Sequence, residues 1–244
     1  MRRLRFLCDV DEVLVDFQTP ALAVMEEVTG IRREPSSFNA WDIFTVLSPE
    51  ERAKVFQVIE QPGFCASLKP LPRAIEGIRK IREFCDIFAV TSPFHSPTWV
   101  AERTEYLHRV FGFESHEVVH TASKHLVIGD ALLDDKPSHI QGWAEAHPGG
   151  LPMLWDIPNT KGMGLDGLRV QSWGQVVARL RNHADKSTVY DLLKEREWVY
   201  DEGHGLPSYY CRECGASWLL RSDPPRSHKP GCRLEEVLRG TQEC

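Results

Sequence analysis

Apolar positions along this chain fall into two rhythms, and their succession predicts the elements. The run from Leu4 to Val10 is nearly continuous and closes on acids, as suits a strand buried on both faces of a parallel sheet. From Phe17 to Gly30, the residues Leu22, Val24, Met25 and Val28 recur near the helical period, and Gly30 is placed to end that helix. Ser48-Pro49-Glu50-Glu51 supplies an N-cap, a proline at the first helical position and acids in the first turn, with Val55, Phe56 and Ile59 as the apolar face. Gln61-Pro62-Gly63 breaks that helix, and Leu71-Pro72 opens another whose stripe is Ile75, Ile78, Ile81 and Phe84 or Cys85. The remaining pattern predicts a strand over Ile87 to Thr91, a helix over Pro97 to Phe111, and a short strand over Glu117 to His120. A longer strand over Leu126 to Asp130, a helix over Ser138 to Ala146, a strand over Pro152 to Trp155 and a helix over Ser172 to Leu180 complete it.

Strands alternating with helices imply an α/β fold built on a doubly wound parallel sheet. The stretch from Phe17 to about residue 70 carries helices with no strand between them, so it is expected to form a small helical cap inserted after the first strand. The main domain is expected over 1–183, followed over 184–198 by a polar linker and a short amphipathic helix, Thr188 to Trp198. Over 199–244 the character changes: Gly203, Gly205, Pro207, Pro224, Pro225, Pro230 and Gly231 dominate, and little aliphatic surface is left to bury. Something other than a hydrophobic core must hold that module.

The 244 residues suffice for one full α/β domain and an appendage. With 42% apolar and 26% charged residues, the chain has neither the polarity of a disordered protein nor the long apolar runs of a membrane protein. A formal charge of −6 argues against broad attraction to nucleic acid or anionic lipid, so phosphate recognition has to be local. The basic start is interrupted by Asp9, Asp11 and Glu12 before a secretory segment is complete, which sets a cytoplasmic location as the expectation. Cys8, Cys65 and Cys85 are scattered in apolar surroundings, as expected of reduced, buried thiols, while the other four of seven cysteines crowd the C-terminal end.

In parallel α/β sheets the functional groups gather beyond the C-terminal ends of the strands. Those ends read Asp9-x-Asp11, Thr91-Ser92, Lys124 just before a strand, and Asp130-x-x-x-Asp134-Asp135. Two carboxylates one residue apart on extended backbone point the same way, which lets one act as nucleophile and the other as proton donor. A third carboxylate from another strand end completes an oxygen site suited to Mg²⁺. The metal and Lys124 would stabilise charge on a transferring phosphoryl group, with Thr91 and Ser92 donating to its oxygens. Taken alone, Asp-x-Asp after a strand is more often a solvated turn than a catalytic pair, and each of the other clusters reads as a loop, a turn or a surface residue. Four of them, each at a strand boundary and in one order, point to a joint site.

That order resembles the four motifs of the haloacid dehalogenase superfamily of phosphatases. Asp9-Val-Asp-Glu-Val-Leu-Val-Asp16-Phe17, Gln61-Pro-Gly-Phe64 with Leu68-Lys-Pro-Leu-Pro72, Thr91-Ser-Pro93 and Asp130-Ala-Leu-Leu-Asp134-Asp-Lys-Pro137 resemble the 5′(3′)-deoxyribonucleotidase family over about residues 1–183. The resemblance implies that Asp9 attacks phosphorus to form an aspartyl-phosphate, and that Asp11 protonates the leaving oxygen and then activates water. It further implies that Asp9, Asp134 and the backbone carbonyl of Asp11 bind Mg²⁺, with Asp135 orienting Lys124 or a metal-bound water. Thr91, Ser92 and Lys124 would hold the phosphoryl oxygens. Arg103 stands where the family carries a basic residue reaching the phosphate; read from its helix alone, it is equally an exposed arginine. Trp41 and Phe44 fall in the stretch that stacks the base, although an aromatic in a small helical cap is more often core than base platform. Glu12 stands where the family usually has glycine, so a position requiring positive φ would force a different loop, and an acid there would repel phosphate.

In the C-terminal segment, Cys211-x-x-Cys214, thirteen residues, then His228-x-x-x-Cys232 has the spacing of two knuckles closing one tetrahedral, structural Zn²⁺ site, with His204 and Cys244 as substitutes of poorer spacing. Residues 185–244 carry 9 Lys plus Arg against 11 Asp plus Glu, so nucleic acid is not an expected partner; protein contact or homo-oligomerisation through this module is. The functional expectation is a Mg²⁺-dependent phosphomonoester hydrolase acting on a small (deoxy)nucleoside monophosphate. The alternatives are a phosphatase whose nucleic-acid or protein substrate the tail delivers, and a non-catalytic zinc-dependent binding protein.

Overall fold

The structure, a computed structural model, describes residues 3–184, 199–201, 208–210, 217–219 and 232. The chain divides into two compact units, residues 2–180 and residues 181–244.

In the first unit, β1 (Leu4–Cys8) enters the centre of the sheet and is followed by a short strand β2 (Val15–Asp16). Then come α1 (Gln18–Thr29), α2 (Pro49–Ile59), α3 (Phe64–Ser67) and a short strand β3 (Lys69–Pro70). Gly30 ends α1 at φ 69°, and Ser48 and Glu51 form a reciprocal capping box at the start of α2, as the sequence pattern requires. β2 pairs antiparallel with β3, so the helical insertion leaves and rejoins the domain through one two-stranded neck. The wholly helical reading of this stretch did not include that neck; two residues per strand are too few to leave an alternating signature.

The main sheet continues through α4 (Ala74–Arg82), β4 (Cys85–Thr91), α5 (Trp99–Phe111), β5 (Val118–His120), β6 (Ala131–Asp134), α6 (Pro137–Ala146), β7 (Leu151–Trp155) and β8 (Arg169–Val170). A last helix begins at residue 173. The six strands are all parallel, in the order β5-β4-β1-β6-β7-β8. The core seam between β1, β6, β7 and α6 is Leu7, Leu132, Leu154, Ile140 and Trp143.

Two expectations are corrected here. The strand expected over Leu126 to Asp130 lies instead at Ala131–Asp134. Both runs are apolar, but Leu126 and Ile128 point outward, each 72% exposed, and Asp130 turns its carboxylate back to accept the N–H of Arg5 at 2.6 Å. Asp130 therefore lies at the start of β6 and not with the acids at its end. In α4, Ile75 is exposed and the buried stripe is Ala74, Ile78 and Ile81, while Cys85 opens β4.

In the second unit, β9 (Val199–Asp201), β10 (Ser208–Tyr210) and β11 (Ser217–Leu219) form a three-stranded antiparallel sheet in the order β11-β10-β9. The helix expected over Thr188 to Trp198 lies outside the described residues, as do Cys211, Cys214 and His228; Cys232 is buried. Among the described residues no helix is long and apolar enough to cross a membrane.

Candidate active site

Register brings the strand ends together. Cys8 stands level with Ala89 on one side and Leu133 on the other, so the residues that follow, Asp9 and Asp134, emerge side by side. The Asp9 N–H donates to the Leu133 carbonyl at 2.9 Å, which ties the loop after β1 to β6.

Lys124 is buried and its ammonium lies 2.6 Å from both Asp9 Oδ1 and Asp134 Oδ2. Burial disfavours the ammonium, but the charges of Asp134 and Asp9 outweigh it and hold Lys124 above the usual lysine range. Asp9 goes up, through burial and the Asp134 charge, despite Lys124. Asp134 is also buried, but Lys124 and His139 overcome that and bring it down. His139 Nδ1 lies 3.1 Å from Asp134 Oδ2. Asp135 is pushed well up by burial, then by Asp9 and Asp134.

Asp9, Asp134 and Asp135 each offer a carboxylate oxygen within 4.8 Å of the others. Three buried carboxylates around one buried ammonium leave an excess of negative charge presented only by oxygen, the donor set of a hard divalent cation. The residues therefore fit Mg²⁺.

Asp11 lies in a tight turn in which Leu14 and Val15 both donate to the Val10 carbonyl, at 2.8 and 2.9 Å. Glu12 holds the left-handed conformation of that turn, φ 59°. The loop thus keeps the positive φ that glycine would favour, and the expectation of a different loop is overturned. The carboxylate borders the cavity, but one of its oxygens is engaged: Glu12 Oε1 accepts the N–H groups of Phe17 and Gln18 at 2.8 and 2.6 Å, capping α1. Burial raises Glu12 to about 7, against these two hydrogen bonds.

A cavity of about 290 Å³ joins Asp9, Asp11, Ser92 and Lys124 to an apolar wall of Phe17, Phe44, Phe56 and Phe94. Phe17 stacks on Phe94 at 5.3 Å between ring centroids, and Phe44 meets Phe56 edge-on at 4.9 Å. Phe44 is at once cap core and cavity wall. Trp41 also lines the cavity, but its N–H is donated to Asp135 Oδ2 at 2.7 Å and the Lys136 ammonium lies 4.3 Å from its ring centroid.

Three of the expected site residues have these surroundings. Arg103 is neither exposed nor among the cavity-lining residues: it is fully buried, lies over Trp99, and donates from Nη2 to Asp11 Oδ1 at 2.7 Å. Among the described residues the buried hydroxyl of Thr91 has no partner, and Thr91, unlike Ser92, does not line the cavity. Of the two roles expected of Asp135, orienting Lys124 falls to Asp9 and Asp134, and Asp135 Oδ2 accepts the Trp41 N–H. The sequence reading did not single out Gln18, Phe94 or His139. Phe94 and His139 each follow a motif that had been recognised, a signal that was legible; Gln18 carried none.

A parallel sheet with a helical cap inserted after β1 and carboxylates gathered at neighbouring strand ends defines a haloacid dehalogenase-like hydrolase. Within that class, the sequence profile of the family described as "5' nucleotidase, deoxy (Pyrimidine), cytosolic type C protein" matches residues 2–183, and the chain belongs to that family. It is 32% identical over 155 residues to the human "5'(3')-deoxyribonucleotidase, cytosolic type", covering 59% of this chain and 76% of that protein. It is 31% identical over 156 residues to the mouse "5'(3')-deoxyribonucleotidase, mitochondrial", covering 60% and 70%. A solved haloacid dehalogenase-like hydrolase from Streptococcus pneumoniae superposes with a TM-score of 0.49 at 10% identity, covering 72% of this chain and 98% of that one.

Proposed function

We propose that the chain hydrolyses nucleoside monophosphates through a covalent intermediate on Asp9. The observation that carries this is one cavity with a carboxylate and ammonium floor and a phenylalanine wall, which suits a substrate with a phosphate at one end and a flat, apolar ring at the other. Lys124 and the Val10 N–H both engage Asp9 Oδ1, leaving Oδ2 as the attacking atom. The Asp9 oxygen forms a bond to phosphorus as the bond from phosphorus to the nucleoside oxygen breaks, and Asp11 delivers its proton to that oxygen. Asp11 then takes a proton from water as the water displaces Asp9 and releases phosphate.

Arg103 holds Asp11 in place for both steps, while Ser92 and Lys124 meet the phosphoryl oxygens. Asp9, Asp134, Asp135 and the Asp11 carbonyl would hold Mg²⁺, which supplies positive charge to the phosphoryl group when bound. Burial of Cys8, Cys65 and Cys85 as thiols and the cytosolic naming of the human relative support a cytoplasmic place for this chain.

A panel of deoxy- and ribonucleoside monophosphates tests the reading. Phosphate release from at least one, lost in Asp9→Asn, is expected; a wild-type protein inert on the whole panel with Mg²⁺ present would overturn it.

For the C-terminal unit, beyond the family match, we infer a structural Zn²⁺ held by Cys211, Cys214, His228 and Cys232, with protein contact as its use. The spacing, the burial of Cys232, and the place of Cys211 and Cys214 in the chain between the paired strands β10 and β11 support it. Metal analysis should return one zinc per chain, and none after Cys211→Ser; zinc-free wild type would refute it.

A further inference from the structure

Gln18 lies in the first turn of α1, 6% exposed, and lines the cavity. The direction of its amide has one solution. Asn159, 1% exposed, donates from Nδ2 to the carbonyl oxygens of Ala40 and Trp41 at 3.1 and 2.9 Å. Its Oδ1 is therefore an acceptor, and Gln18 Nε2 donates to it at 3.1 Å. Among the described residues Gln18 Oε1 has no hydrogen-bond partner, yet it is not sealed from solvent, and the cavity is the space its side chain borders. The relay fixes an acceptor, not a donor, in the pocket wall. A phosphate dianion carries no hydrogen to offer it, and the phosphate end of the cavity is already furnished by Lys124 and Ser92.

We propose that Gln18 is a specificity-determining residue whose Oε1 accepts a hydrogen bond from an N–H or O–H on the nucleoside portion of the substrate. This rests on the nucleotidase reading above. A nucleoside without that donor would displace water from a buried acceptor and leave it unpaired, which is how polar sites reject close analogues most strongly. The shared chemistry has two sources, a base N–H and a sugar hydroxyl.

The test measures kcat/KM of the full chain, wild type and Gln18→Leu, on thymidine monophosphate, its N3-methyl analogue, its 3′-deoxy analogue and p-nitrophenyl phosphate. Loss of one of the two nucleotide donors is expected to cost the wild type about tenfold, and to cost Gln18→Leu much less. Gln18→Leu should also lose about tenfold on thymidine monophosphate relative to its change on p-nitrophenyl phosphate. The analogue that shows the wild-type loss identifies the source.

Equal loss by Gln18→Leu on every substrate, or no loss by the wild type on either analogue, overturns the proposal. The wild-type series decides alone if the variant does not fold. Failure of the nucleotidase reading is a separate result, in which no nucleotide is turned over at all.

Discussion

Lys124 holds two buried carboxylates with one ammonium, and its removal leaves Asp9 and Asp134 facing each other without that ammonium between them. Breaking a buried pair in this way costs about 3–5 kcal/mol, and removing a charge aimed at the reacting group costs about 10²- to 10³-fold in rate. Lys124→Met should therefore unfold at lower temperature, lose turnover on that scale, and be stabilised by Mg²⁺ more than the wild type in a thermal melt. Unchanged turnover would remove Lys124 from the site.

Arg103 makes the sharper residue-level distinction. Its bond is to Asp11, so Arg103→Met should lower kcat by about 10²-fold, on the scale of lost acid–base catalysis, with little change in KM. A loss confined to KM would return Arg103 to the substrate phosphate.

Among the elements, the neck of β2 and β3 and the Glu12 cap connect the catalytic turn to α1: backbone bonds close the turn after β1, and the Glu12 side chain within it satisfies the first N–H groups of α1. Elsewhere, α4 is tied to the turn just before the outer strand β5 through Arg82, which meets both carboxylate oxygens of Glu117 at 3.0 and 2.9 Å. Burial works against the Glu117 carboxylate, but Arg82 and the Glu114 N–H prevail and hold it below the usual glutamate value. A carboxyl depressed in the folded state stabilises above its unfolded value, near 4.5, and that stabilisation is lost as pH falls through the folded value below it. Urea unfolding should find Glu117→Gln less stable by about 1 kcal/mol at pH 7, with the gap closing at pH 3. A gap independent of pH would show that packing, not charge, holds this corner.

For the molecule as a whole, what was legible and what was not follows the range of the interactions. Asp9-x-Asp11 and Thr91-Ser92 declare themselves because strand ends are local features and a parallel sheet must align them, whereas Asp134-Asp135 was legible as a motif although its strand was expected to end earlier, at Asp130. Gly30 and Ser48 were readable for the same reason: a cap is decided within one turn. Leu126 to Ile128 misled because apolar character does not say which of two neighbouring runs the flanking strands will cover. Arg103 could not be placed from its helix, since its partner lies 92 residues away, and the Gln18–Asn159 relay spans 141. Glu12 is instructive in the opposite sense: the departure from glycine was visible, but only the structure shows the carboxylate turned back onto α1.

All of this depends on Asp9 taking up phosphorus. The direct measurement is acid quenching of the full-length enzyme during turnover of a nucleoside monophosphate labelled with ³²P at the phosphate, followed by digestion and peptide mapping. The label should be covalently bound to the peptide containing Asp9 and absent from Asp9→Asn; wild-type protein that turns substrate over while carrying no label, or carrying it on another residue, would contradict the account.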